Sequence, residues 1–194
     1  PDMIALTGDI VDEDHDSISS VEDLLKGIKD LAPIYFVTGN HELTSLAATQ
    51  YQELLALFQK YGVTDLDNDS VKLKKGGQSI TLYGRQYFSQ YLTDSLPIAS
   101  DKDFDILLYH GSDNFKEIAP YHYDLILSGH AHGGIVRLPI WGGIFGNDGT
   151  FFPEYAGGEY TIGDATLISS RGLGDASIPR FNNPPELVVI KLNP

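Results

Sequence analysis

Short apolar runs alternate along the chain with segments of helical periodicity. Met3 to Thr7 is an apolar run ended by Gly8 and predicts a buried strand. From Ser17 to Leu31, the residues Val21, Leu24, Leu25, Ile28 and Leu31 recur at three- and four-residue spacing, which predicts a helix stopped by Pro33. Ile34 to Thr38 predicts the next strand, and Leu43 to Tyr61 a second helix burying Leu46, Leu54, Leu55 and Phe58. This strand–helix–strand–helix order argues for parallel strands joined by right-handed crossovers.

Further along, Val71 to Leu73 and Ile80 to Tyr83 flank Gly76-Gly77 and predict a hairpin. Ile106 to Tyr109 and Leu125 to Ser128 predict two more buried strands. The last third is rich in Gly and Pro, with strands expected at Tyr160 to Ile162, Ala165 to Ser169 and Leu187 to Leu192, antiparallel or mixed. The expected fold class is α/β: a two-sheet β-sandwich flanked by helices, with residues 1–194 forming a single domain.

Composition narrows the function classes. With 194 residues, 42% of them hydrophobic and 11% aromatic, the chain can bury a core. It has no cysteine, which excludes a disulfide scaffold, a thiolate metal site and a cysteine nucleophile. The formal charge of −14 disfavours nucleic-acid binding, which draws on a basic surface. It does not exclude an anionic substrate, because a bound cation reverses the local field. No apolar stretch approaches the roughly 20 residues needed to span a bilayer. The chain opens on Pro1 and enters an apolar run at once, so an N-terminally incomplete domain is expected.

The candidate chemistry sits just past the ends of four strands. Ile4-Ala5-Leu6 leads into Thr7-Gly8-Asp9, and Tyr35-Phe36-Val37 into Thr38-Gly39-Asn40-His41-Glu42. Ile106-Leu107-Leu108 leads into Tyr109-His110-Gly111, and Leu125-Ile126-Leu127 into Ser128-Gly129-His130-Ala131-His132-Gly133-Gly134. Ligands bind at the carboxyl ends of strands in open α/β sheets, so Asp9, Asn40, His110, His130 and His132 are expected to converge. Polar loops alone do not explain why four of the six histidines fall there. Imidazole with carboxylate suits Mn, Fe or Zn better than Ca or Mg. A carboxylate can also bridge two metals, the usual apparatus of phosphoester hydrolysis.

Gly8-Asp9-Ile10-Val11-Asp12, Gly39-Asn40-His41-Glu42, His110 after its strand and Gly129-His130-Ala131-His132-Gly133-Gly134 resemble, in order, the motifs of the calcineurin-like metallophosphoesterases. The later Ser170-Arg171-Gly172-Leu173-Gly174, Pro179-Arg180-Phe181-Asn182 and Pro184-Pro185-Glu186-Leu187 resemble a bacterial branch of YkuE- and YaeI-like phosphoesterases. The resemblance implies that Asp9 bridges two metals, that Asn40, His110 and His130 complete the second, and that His132 belongs to the first. It implies that His41 binds the scissile phosphate, as an acid for the leaving group or a stabiliser of its charge. The implied reaction is hydrolysis of phosphodiesters or pyrophosphates, some lipid- or sugar-linked, by in-line attack of a metal-bound hydroxide.

The family's leading Asp-x-His motif has no counterpart before Asp9. Ligand counting therefore predicts one well-bound divalent transition metal and a second bound poorly, and sets against the enzyme reading a catalytically impaired metal-binding or interaction module. Asp14-His15-Asp16 lies nearby in sequence but reads as a helix cap or solvated loop. Asp12 is expected to orient a histidine or shape its turn, and Glu42 to cap the following helix or orient His41. Arg171 and Arg180 suit either substrate phosphate or a structural salt bridge. His122 reads as a surface histidine. Trp141, Ile144, Phe145, Phe151 and Phe152 form either an apolar lip for a lipid-like substrate or ordinary loop packing. The resemblance further implies a bacterial protein, membrane-associated or exported through a segment upstream of this chain. An unpaired sheet edge invites self-association.

Overall fold

Residues 1–11, 17–87, 96–100, 103–146, 149–174 and 179–193 are described by the structure, a computed structural model. The N-terminal half runs β1 (Ile4–Leu6), α1 (Ser17–Ile28), β2 (Ile34–Phe36), α2 (Asn40–Thr44), α3 (Ala48–Tyr61) and β3 (Val63–Asp65). The strands β1, β2 and β3 pair in parallel, in that order, as a three-stranded sheet. The apolar stripes of the two long helices close over its outer face. Val21 and Leu25 of α1 and Leu54 and Phe58 of α3 pack with Ile34 and Phe36, and the rings of Phe36 and Phe58 stand 4.6 Å apart.

A hairpin of β4 (Ser70–Lys75) and β5 (Gln78–Arg85) opens the second half. Next along the chain come β6 (Phe104–Gly111), the short α4 (Phe115–Ile118), β7 (Leu125–Gly129), the ribbon β8 (Val136–Leu138) and β9 (Gly142–Phe145), and the hairpin β10 (Gly158–Ile162) and β11 (Ala165–Ser169). A six-stranded sheet forms in the order β10-β11-β7-β6-β5-β4, parallel through its middle and antiparallel at each hairpin. Successive side chains of β6 serve two cores. Ile106 and Leu108 meet Tyr35 and Val37 between the sheets, whereas Leu107 and Tyr109 meet Phe115, Ile118 and Tyr123 on the far face. A strand buried on both faces has no polar alternation, which is why it reads as an unbroken apolar run. The result is the expected helix–sheet–sheet–helix layering.

The structure corrects several expected elements. The helix expected over Leu43 to Tyr61 is two helices, because α2 begins at the Gly39-Asn40 turn and closes with the Ser45 N–H donating to His41 O at 2.9 Å. The α3 helix then starts afresh, with Gln50 Oε1 accepting the Ala47 N–H at 3.0 Å. No strand forms over Leu187 to Leu192. That run passes beside Gly158, Glu159 and Ile168, but Leu187 and Val189 stay exposed, so it buries too little apolar surface to be held as a strand. The short β3 and the ribbon β8–β9 go beyond the expected elements, since three- and four-residue strands give little periodic signal. No helix among the described residues is long and apolar enough to cross a membrane.

Candidate metal centre

The two sheets bring their strand ends together at one edge. The loops after β1 and β2 touch through their backbones. A Cβ on Gly8 would stand 2.4 Å from Gly39 N, and one on Gly39 would stand 2.2 Å from Asp9 Oδ1, so neither position admits a side chain. Asp9 and His130 adopt left-handed backbone conformations, φ 53° and 67°, which are uncommon for residues other than Gly and cluster at functional sites. Asn40 is the first residue of α2, His110 lies in β6 and His130 comes directly after β7.

Four side chains meet at His110 Nε2. It stands 3.0 Å from Asp9 Oδ2, 3.2 Å from Asn40 Oδ1 and 3.1 Å from His130 Nδ1. The other nitrogen of His110 is 2.7 Å from the Thr7 carbonyl, which can only accept, so it carries the ring proton of the neutral imidazole. The inward Nε2 of neutral His110 then turns a lone pair toward Asp9 Oδ2 and Asn40 Oδ1, both oxygen acceptors, and toward His130 Nδ1, whose role follows its tautomer. Asp9 Oδ2 is buried and has no well-formed hydrogen bond among the described residues. Such a convergence of oxygen and nitrogen donor atoms suits a cation. Donor atoms bound at right angles to one transition metal at about 2.1 Å stand about 3 Å apart, the spacing seen here. The donor set of two imidazoles, one carboxylate and one amide oxygen therefore fits a divalent transition metal.

Electrostatics prepares the site. Burial opposes ionisation of Asp9, but His110 and the His41 backbone N–H hold its carboxyl below the usual range. Burial likewise opposes charging of His110, yet Asp9 and the Thr7 carbonyl raise it above the ordinary imidazole value.

Several supporting residues carry roles that the sequence does not announce. Glu42, only 1% exposed, accepts the backbone N–H groups of Asp9 at 2.9 Å, Ile10 at 2.8 Å, Val11 at 3.3 Å and Gly39 at 2.7 Å. It joins the two ligand loops rather than His41. Asp67 accepts the Thr38 N–H at 2.9 Å and the Thr38 hydroxyl at 2.7 Å, holding the approach to Asn40. Tyr87 places its hydroxyl 3.3 Å from His130 Nε2. Asn183 Nδ2 donates to the His132 carbonyl at 2.6 Å, clamping the histidine loop. Glu42 belongs to the Gly39–Glu42 motif, but Asp67, Tyr87 and Asn183 are lone polar residues whose partners lie far along the chain.

His41 stands beside the cluster, with Nε2 at 3.8 Å from Asp9 Oδ2 and Nδ1 at 3.4 Å from Ser45 Oγ. Its backbone N–H donates to Asp9 Oδ1 at 2.9 Å. His132 lies outside the group formed by Asp9, His110 and His130, whose ligand atoms lie within 4.8 Å of one another. Its buried Nδ1 has no hydrogen-bond partner among the described residues. Arg171 is committed to Glu186, with Nε and Nη2 donating to Oε2 at 2.8 and 2.5 Å, while Arg180 Nη2 donates to the Gly174 carbonyl. His122 is exposed at the end of a 3-10 turn. Asp12 and Asp14-His15-Asp16 lie outside the described residues.

Burial, and after it the charge of Arg180, push the His132 imidazole from 6.5 down to about 4. The unfolded chain then takes up this proton first. The metal-free chain therefore loses stability as pH falls from 6.5 through 4, and none of that loss is present above 6.5. Between pH 7 and pH 5 the His132 contribution is about 2 kcal/mol. Denaturant titrations at the two pH values check this. His132→Gln should shrink the difference by about that amount, and an unchanged difference would remove His132 as its source.

Beyond the histidine loop, the β8–β9 ribbon presents an apolar face. Ile140 is fully exposed and Trp141 is 67% exposed at its turn. The Trp141 and Phe152 rings stand 6.3 Å apart, and those of Phe145 and Phe151 5.4 Å apart.

Comparison with known proteins bears on this geometry. The family description "Calcineurin-like phosphoesterase" matches residues 1–134. The chain is 30% identical over 200 residues to the uncharacterised metallophosphoesterase YkuE of Bacillus subtilis, covering 99% of this chain and 68% of that protein. It is 26% identical over 194 residues to the phosphodiesterase YaeI of Escherichia coli, covering 99% of this chain and 70% of that one. Among solved structures, the sulfate thiohydrolase SoxB of Thermus thermophilus superposes with a TM-score of 0.52 at 16% identity, covering 86% of this chain and 33% of that one, a likeness of fold.

Proposed function

We propose a function on one premise: the chain belongs to the calcineurin-like phosphoesterase family. The reading is a metal-dependent phosphoesterase acting on phosphodiesters or pyrophosphates. The convergence of Asp9, Asn40 and His130 on His110 Nε2 carries it. These four residues would hold a divalent Mn, Fe or Zn ion, which when bound lowers the pKa of water and neutralises phosphoryl oxygens. One well-held ion is the proposed occupancy. Asp9 turns Oδ2 to the cluster while Oδ1 is taken by the His41 N–H, and His132 stands apart.

His41 supplies the acid. The first turn of α2 fixes its backbone, and its side chain remains partly exposed beside the cluster. In this reading its ring nitrogen donates a proton to the leaving oxygen as the phosphorus–oxygen bond breaks. The group that ties α2 to Asp9 is the backbone N–H, which survives any substitution of the ring. His41→Ala should therefore lower kcat on an aryl phosphodiester by roughly 10²–10³-fold, with bound metal unchanged. Equal turnover in the variant would exclude His41 as the acid. A chain that binds metal and turns over no phosphoester would favour the alternative, a metal-binding module without catalysis.

The apolar ribbon supports a substrate with an acyl or polyprenyl portion, because Trp141 and Ile140 stand exposed on the ribbon just after the His130–Gly134 loop. Trp141→Ala should raise KM severalfold on a long-chain phosphodiester and leave a small aryl phosphodiester untouched. Equal effects on both would assign the ribbon to packing.

A further inference from the structure

Tyr87 comes just after β5, a strand that carries none of the ligand motifs. Its hydroxyl is 3.3 Å from His130 Nε2. Its ring lies edge-on to His110, centroids 5.1 Å apart at 89°, and tilted against His130, 5.2 Å apart at 41°. His130 thus has Tyr87 on its outer nitrogen and His110 on its inner one, at 3.1 Å.

On the reading of this cluster as a metal site, we propose that the Tyr87 hydroxyl is a positioning group for His130: it accepts the Nε2 proton and so holds the Nδ1 lone pair toward Asp9, Asn40 and His110. A neutral imidazole carries one N–H. The Thr7 carbonyl fixes that of His110 on Nδ1, at 2.7 Å, so a neutral His110 presents a lone pair at Nε2. Without a cation and with both rings neutral, His130 satisfies this lone pair by donating from Nδ1, and its own Nε2 then accepts from the Tyr87 hydroxyl. With a cation, both inward nitrogens must present lone pairs. The His130 proton then belongs on Nε2 and needs an acceptor. A phenol hydroxyl donates in the first state and accepts in the second. A carbonyl or carboxylate could serve only the second, and a lysine only the first. Partners on the outer nitrogen of a metal-ligating histidine fix its tautomer and orientation, and losing one typically costs 10–100-fold in metal affinity.

Cobalt(II) titration of the metal-free chain, monitored by its visible absorption, tests this in wild type, Tyr87→Phe and Tyr87→Leu. Tyr87→Phe keeps the ring against His110 and His130 and loses only the oxygen. Its cobalt affinity should fall about tenfold, with the metal-free thermal midpoint lowered by no more than the few degrees that one hydrogen bond is worth. Tyr87→Leu should lose a similar factor. In the zinc-loaded wild type, nitrogen chemical shifts should place the His130 proton on Nε2. The proposal is overturned if Tyr87→Phe binds cobalt with wild-type affinity, or if the zinc-loaded wild type carries that proton on Nδ1. A wild-type chain that takes up no cobalt overturns the metal reading itself, a result distinct from either.

Discussion

Asp9→Asn should abolish metal-dependent phosphodiester hydrolysis while leaving the fold in place. The substitution keeps the shape of the side chain and an oxygen for the His41 N–H, which is 2.9 Å from Oδ1 in the native chain. It removes the anionic donor atom that stands 3.0 Å from His110 Nε2 and replaces it with a neutral amide. Two unit charges about 4 Å apart at an effective dielectric of about 20 interact by roughly 4 kcal/mol, which is about three decades of binding. Metal affinity should fall by at least about 10³-fold, and turnover with it. Calorimetric titration with Mn(II), run beside the hydrolysis assay, reads both losses, and the metal-free thermal midpoint reports the fold. An Asp9→Asn chain that held Mn(II) with native affinity would show that the site is not built around this carboxylate.

The second large effect is on stability. Glu42 is buried and accepts four backbone N–H groups from two loops. Burial and the nearby charge of Asp9 push its carboxyl upward, and the backbone donors oppose that rise. Glu42→Ala strands those donors in the interior and should cost about 3–5 kcal/mol, lowering the thermal midpoint by roughly 10 °C. Glu42→Gln retains one acceptor oxygen but turns an amide N–H₂ toward N–H donors, so it should cost about half as much and also weaken metal uptake. Denaturant midpoints for the two variants measure this. A Glu42→Gln chain within about 0.5 kcal/mol of wild type would mean that water or local rearrangement satisfies these donors.

The two effects differ in how far the sequence announces them. Asp9, Asn40, His110 and His130 each come after an apolar run, and three of those runs end in Gly, so the strand-end rule brings them together before any coordinates. The sequence predicts two sheets but does not show which strand enters which. β1 and β2 lie in one, β6 and β7 in the other, and the site straddles the edge between them. The sequence reads Glu42 as a cap for a helix from Leu43 or as a group orienting His41, and it does accept the Gly39 N–H, at the start of a helix that begins at Asn40. Its bonds to Asp9, Ile10 and Val11 span more than thirty positions and leave no periodic trace. Tyr87 is hidden for the same reason, as one aromatic among eleven tyrosines. Arg171 illustrates a different limit. Its place in a Gly-rich loop allows either phosphate or an acid, and only the geometry pairs it with Glu186. Leu187 to Leu192 has the composition of a strand, but its apolar residues Leu187 and Val189 stay exposed and it joins no sheet. Propensity alone cannot register whether a run is buried against a sheet.

The central claim is that Asp9, Asn40, His110 and His130 form one metal centre on which phosphoester hydrolysis depends. Stripping the chain with a chelator, restoring Mn(II) in steps, and measuring bound metal and aryl phosphodiester hydrolysis in the same samples tests it most directly. One tightly held ion should enter each chain, with hydrolysis absent from the stripped chain and rising in proportion to occupancy. Hydrolysis that persists unchanged in the fully stripped chain, or two ions held equally tightly, would contradict it.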